Sequence, residues 1–208
     1  MGALRERERE REEIVVPFPM PREAVRPATH YRSTWLVSSL ESIRARGSFD
    51  EYRRHLHAHE ETILSTLVGV WLPMEVARAH YDACNRLGLS VDEQFAMGAS
   101  VSDRMKGTLL SSVVKTARGV GVTPWTVIPQ LDRLCKRGTN GGSMAVYKLG
   151  PKEVRAEFIG VELFDVDYFR HGFRGVLHAV GSLFCEKGYI HDLPGRRRGE
   201  ARFRMQWV

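Results

Sequence analysis

The densest group of side chains able to do chemistry is His55-Leu56-His57-Ala58-His59-Glu60. On a helix, residues four apart share a face, so His55 and His59 would present two imidazoles together, with Glu51 one turn earlier as a third zinc ligand. His57 points elsewhere. The His-Glu-x-x-His order, which sets a general base beside two ligands, is absent. The expected reading is a solvated, charged helix face, with His55 and His59 as weak metal candidates.

The other reactive types are scattered. Cys84, Cys135 and Cys185 are far apart and odd in number, which suits neither a disulfide framework nor a zinc site, and each reads as core. Arg196, Arg197 and Arg198 form the one dense basic run and are the anion-binding candidates, although a solvated hairpin loop explains them as well. Gly138-Thr139-Asn140-Gly141-Gly142 is glycine-rich but lacks the Lys-Ser/Thr ending of a phosphate loop and follows a helix, so it reads as a helix stop and turn. Ser111 and Ser112 lack a nucleophile elbow. No catalytic constellation emerges, and a non-enzymatic protein is expected.

Aromatic residues carry the stronger functional suggestion. Trp71, Trp125, Phe173, Phe203 and Trp207, with Leu177, are expected to converge where helices meet a sheet. That convergence is either solid core or the wall of an apolar small-molecule pocket.

The elements that must position these residues change rhythm near Gly138. From Thr29 to Gly138 the apolar spacing is helical, with Ser90 and Glu93 spaced as a capping box and a helix expected over residues 101–118. From Ser143 onward the period is two. Met144, Val146 and Lys148 form one strand, and Val154, Ala156 and Phe158 a second. A helix carries Phe169, Phe173, Val176 and Leu177. Tyr189-Ile190 opens a third strand, and Phe203, Met205 and Trp207 mark a fourth. The expected fold is α+β: a helical N-terminal half packed on a small antiparallel sheet in strand-strand-helix-strand-strand order. Residues 1–28, charged and then proline-rich, read as a disordered leader dispensable for folding, and residues 29–208 as one domain.

Composition narrows the classes further. A chain of 208 residues with 43% hydrophobic content can build a core, and no apolar run approaches the ~20 residues that span a bilayer. The net charge of +6 is dispersed, which argues against nucleic acid as partner. The cysteine usage and the absence of a secretory signal pattern suggest a cytoplasmic setting.

Some features support a family resemblance. They are Gly107-Thr108-Leu109-Leu110, Pro124 and Pro129, Arg137-Gly138-Thr139-Asn140-Gly141, and the terminal Arg204-Met205-Gln206-Trp207. With the element order, they resemble the superfamily joining heme-nitric-oxide-binding domains, vinyl-four-reductase domains and TRAPP trafficking adaptors. More narrowly, residues 60–207 resemble an uncharacterised paralogous family of myxobacterial proteins. The resemblance implies a ligand-sensing or regulatory module with a pocket between helices and sheet. It also implies, as alternatives, a dimeric protein–protein adaptor or a heme or metal sensor. Heme-binding members use Tyr-x-Ser-x-Arg for the propionates; Tyr31-Arg32-Ser33 begins that way, with Trp35 at the arginine position. No cofactor is expected, with heme and zinc left open. The expected partner is a hydrophobic small molecule or another protein, including a second copy of the chain.

Overall fold

The structure, a computed structural model, describes residues 13–105, 123–194 and 197–208. Its larger sheet contains β1 (Glu13–Val16), β5 (Ser143–Gly150), β6 (Glu153–Ile159), β7 (Gly188–Asp192) and β8 (Ala201–Trp207). These strands pair antiparallel in the order β1-β5-β6-β8-β7. Period-two patterning decides which face is buried. Met144 and Val146, Val154, Ala156 and Phe158, and Phe203, Met205 and Trp207 all turn inward, each 8% exposed or less. Helix α8 (Asp167–Gly181) crosses that face and follows β6 in sequence, which yields the strand-strand-helix-strand-strand order. The fold is α+β, as the change of period predicts.

The helical half comprises α1 (Ser33–Ala45), α2 (Phe49–His55), α3 (Glu60–Ser65), α4 (Met74–Asn85), α5 (Val91–Met105), α6 (Pro124–Val127) and α7 (Leu131–Gly138). Ser90 and Glu93 form the expected capping box: Ser90 N–H donates to Glu93 Oε2 at 2.8 Å, and Glu93 N–H to Ser90 Oγ at 3.3 Å. Helices α5 and α8 meet in backbone contact. A methyl group on Gly98 would sit 1.8 Å from the Gly172 carbonyl oxygen, and one on Gly175 2.0 Å from that of Phe95. Most of the helix expected over residues 101–118, Ser111 and Ser112 included, lies outside the described residues.

A second sheet of three short strands ties the halves together. Strand β2 (His30–Arg32) pairs on one side with β3 (Trp71–Pro73) and on the other with β4 (Thr139–Asn140). Because β2 runs straight into α1 and β4 directly follows α7, this pairing brings the start of α1, the end of α7 and Trp71 to one place.

Two expectations need correction. The leader is not disordered over residues 13–28: β1 pairs with β5, Ala28 N–H donates to the Gly160 carbonyl at 2.7 Å, and Gly142 N–H donates to that of Arg26 at 2.9 Å. Arg22 lies on the sheet's outer face, with Nη1 2.8 Å from Glu157 and Nη2 2.9 Å from Glu200. Both carboxylates are largely buried, and such groups need a cation to remain charged. The single helix read through His55 and His59 is instead two: α2 stops at His55, where Leu56 leaves the helical region with ψ of 89°, and His59, left-handed with φ of 59°, precedes α3.

Candidate functional site

Helices α7 and α8 carry matching apolar stripes. Leu131, Leu134, Cys135 and Gly138 follow the i, i+3, i+4, i+7 spacing of one helix face, and so do Phe173, Val176, Leu177 and Val180. The two stripes line opposite parts of one cavity of about 570 Å³, with Thr34 and Trp35 from α1 and Trp71 from β3. That size falls within the ~300–1,000 Å³ common for small-molecule sites. Trp35 stacks on Phe173 with ring centroids 5.7 Å apart and planes at 20°, which closes one end with rigid aromatic surface.

The polar groups sit at the rim. Arg32, Lys136 and Arg137 line the cavity, and no carboxylate does so among the described residues. The Arg32 guanidinium lies 4.8 Å from the centre of the Trp71 ring, which holds it in place by a cation–π contact. Lys136 Nζ pairs with Asp132 at 2.6 Å within the same helix. Arg32 and Arg137 are more than a hundred residues apart, and the β2–β4 pairing helps bring them together.

The expected aromatic set divides. Trp71, Phe173 and Leu177 line the large cavity. Trp125 and Trp207 meet edge-to-face at 5.1 Å, and Trp207 and Leu177 border a separate void of about 40 Å³. Phe203 is 0% exposed and packs against Phe158, Phe164 and Phe173 as solid core. The expected pocket between helices and the large sheet is therefore displaced: no residue of that sheet lines the large cavity. Trp35, Leu134, Val180, Arg32 and Arg137 were not marked as site residues by the sequence. The paired helical stripes were a readable signal for the apolar members, and nothing local signalled the arginines.

The remaining candidates do not assemble. His55 ends α2, and His59 precedes α3 after the break. No group of three or more His, Cys, Asp or Glu side chains able to hold a metal occurs among the described residues. Of the arginine run, Arg196 lies outside the described residues. The Arg197 N–H donates to Glu200 Oε2 at 3.3 Å, and Arg198 Nε lies 3.6 Å from Asp165. Acidic neighbours thus already face that run.

A buried polar cluster occupies the helical half, away from the cavity. Tyr52 Oη lies 2.9 Å from His80 Nδ1, Cys84 Sγ lies 3.5 Å from His80 Nε2, and the Tyr31 and Tyr81 hydroxyls are 2.8 Å apart. Full burial lowers His80 to about 3 and raises Cys84, Tyr31 and Tyr81, so all remain neutral at ordinary pH.

Comparison with known proteins supports the fold. No family model matches the sequence, and no curated protein does. Among solved structures, an Fe(II) unliganded H-NOX protein from K. algicida aligns with a TM-score of 0.63 and 8% identity, covering 85% of this chain and 96% of that one. A mutant of T. Tengcongensis H-NOX aligns with a TM-score of 0.58 and 10% identity, covering 85% and 97%. An oxygen-binding H-NOX domain related to soluble guanylate cyclases aligns at 0.57 and 10% identity, covering 85% and 94%. Identities this low establish a shared fold and nothing finer.

Heme therefore has to be tested against the residues present. An iron porphyrin needs an axial donor, and among the described lining residues only Cys135 qualifies. Burial, with a smaller contribution from Asp132, pushes its thiol up to about 12, and it donates to Met144 Sδ at 3.5 Å. A heme thiolate needs the opposite environment. Nor is Tyr-x-Ser-x-Arg complete anywhere in the sequence. The residues of this cavity do not fit heme. The shared architecture nonetheless identifies the chain as having an H-NOX-like α+β fold.

Proposed function

We propose that this protein is a non-enzymatic ligand-sensing or regulatory module that holds a hydrophobic small molecule between α1, α7 and α8. The observation that carries this reading is the cavity of about 570 Å³ with its two facing apolar stripes. Its described lining offers no acid, no histidine and no thiol disposed to ionise, which supports binding without chemistry. The fold neighbours include a domain named as oxygen-binding, so a small-molecule role suits the architecture. The cytoplasmic setting rests on the cysteine usage. No helix among the described residues is long and apolar enough to cross a membrane.

The test is the fluorescence of a neutral apolar reporter, N-phenyl-1-naphthylamine, titrated with wild type and with Val180→Trp, which projects an indole into the cavity and obstructs it. Saturable enhancement with wild type, lost in the variant at unchanged melting temperature, is expected. Equal enhancement with both would sink the reading.

A second reading, a protein–protein adaptor, has one observation in its favour. Leu67, Val68 and Val70, on the loop before β3, and Trp71, which opens β3, are 74%, 64%, 39% and 41% exposed. Ser33 fixes that loop, its Oγ donating to the Leu67 carbonyl at 2.7 Å and accepting the Val70 N–H at 2.9 Å. A dimer that dissociates on Leu67→Ser, detected by sedimentation, would favour it.

A further inference from the structure

We infer that the ligand of this cavity is an anionic amphiphile, with an apolar body between α7 and α8 and a carboxylate or phosphate head at Arg32 and Arg137. The inference rests on the binding role proposed above and adds the ligand's charge. Its basis is the asymmetry of the rim: Arg32, Lys136 and Arg137 against no carboxylate among the described lining residues.

Ordinary helix electrostatics explains part of this. Cations in the last turn of α7 offset the partial negative charge of its C-terminal carbonyls, and Lys136 is further neutralised by Asp132. Arg32 has no such explanation. It belongs to β2, makes no ion pair among the described residues, and is held against the Trp71 ring. A guanidinium fixed on an aromatic face keeps its planar fork free for an oxyanion. Arg137, the residue before the last of α7, makes no ion pair among the described residues either. Two guanidiniums without an ion pair among the described residues, at the mouth of an apolar cavity, match a head group with two or more oxygens.

The test is titration with 11-(dansylamino)undecanoic acid and with its methyl ester, which keeps the body and removes the charge. The acid should bind at least about tenfold more tightly than the ester, as expected for loss of a charge-assisted contact at a partly exposed rim. Arg32→Gln and Arg137→Gln should each erase most of that difference while leaving the ester unchanged, and Arg32→Lys should restore part of it. Dodecyl phosphate displacing the acid at similar concentration would identify a general oxyanion site. Failure to displace would restrict the head to a carboxylate. Sedimentation with phosphatidylglycerol vesicles separates a free amphiphile from a lipid surface: the protein should stay in the supernatant, and capture by vesicles without displacement of the probe would overturn the inference. Equal binding of acid and ester would overturn it while leaving the binding role intact. Binding of neither compound, together with no response to the neutral reporter, would overturn both.

Discussion

Lowering the pH from 8 to 5 should destabilise this protein through His80. The imidazole is 0% exposed, and burial lowers it to about 3 against an ordinary 6.5. Tyr52, Cys84 and Tyr81 around it are neutral and supply no counter-charge. Below pH 6.5 the unfolded chain therefore binds a proton that the folded chain refuses. Stability thus rises with pH between the two values and falls as acid is added. The slope approaches about 1.4 kcal/mol per pH unit, so roughly 2 kcal/mol should be lost between pH 8 and pH 5. That would be a substantial share of the ~5–15 kcal/mol typical of a domain. His171 is also lowered, by partial burial and then by Arg170 and Arg174, and adds slope of the same sign. Urea unfolding midpoints at pH 8, 6.5 and 5, for wild type and for His80→Gln, isolate the His80 contribution. Wild type should lose about 2 kcal/mol more than the variant over this range. Parallel pH profiles would refute the reasoning and place His80 in contact with water or a hidden acid.

Gly98→Ala should destabilise by about 1–3 kcal/mol or more, because α5 and α8 must part to admit the methyl group. Gly181→Ala, which meets nothing within 4 Å at the end of α8, should instead stabilise by up to about 1 kcal/mol. Thermal melts of the pair should move in opposite directions. Trp207→Ala should cost roughly 3–5 kcal/mol, since the ring is 8% exposed and packs edge-to-face on Trp125; an unchanged melt would contradict the placement of β8. Deleting residues 1–26 should lower the melting temperature clearly, because it strips β1 from β5 and removes Arg22 from Glu157 and Glu200. A truncated protein that melts like the full chain would show that these contacts contribute nothing.

The parts of the fold legible in the sequence are those where one local pattern decides the outcome. Alternation in Phe203, Met205 and Trp207 assigned β8 to its buried face, and the spacing of Ser90 and Glu93 fixed the start of α5. Reading failed where a partner distant in sequence decides. Glu13–Val16 is short and follows a run of charges, so its pairing with β5 could be seen only once β5 offered an open edge. His55 and His59 have ideal helical spacing, but the chain leaves the helix at Leu56 and turns left-handed at His59, so no single helix carries both. The cavity was half legible. The stripes on α7 and α8 are written in the sequence, whereas the meeting of Arg32 with Arg137 depends on β2 pairing with β4, whose two residues, Thr139 and Asn140, read as a turn.

Tryptophan position permits a direct test of the cavity as a binding site. Trp35 and Trp71 line it, while Trp125 and Trp207 pack together elsewhere. Bromine quenches tryptophan fluorescence only on close approach, so titration with 11-bromoundecanoate or 11-bromoundecanol reports which indoles the ligand reaches. Saturable quenching is predicted for wild type, with little in a Trp35→Phe/Trp71→Phe variant, whose remaining indoles are Trp125 and Trp207. Equal quenching of that variant, or no saturable quenching of wild type by either compound, would contradict a ligand held between α1, α7 and α8.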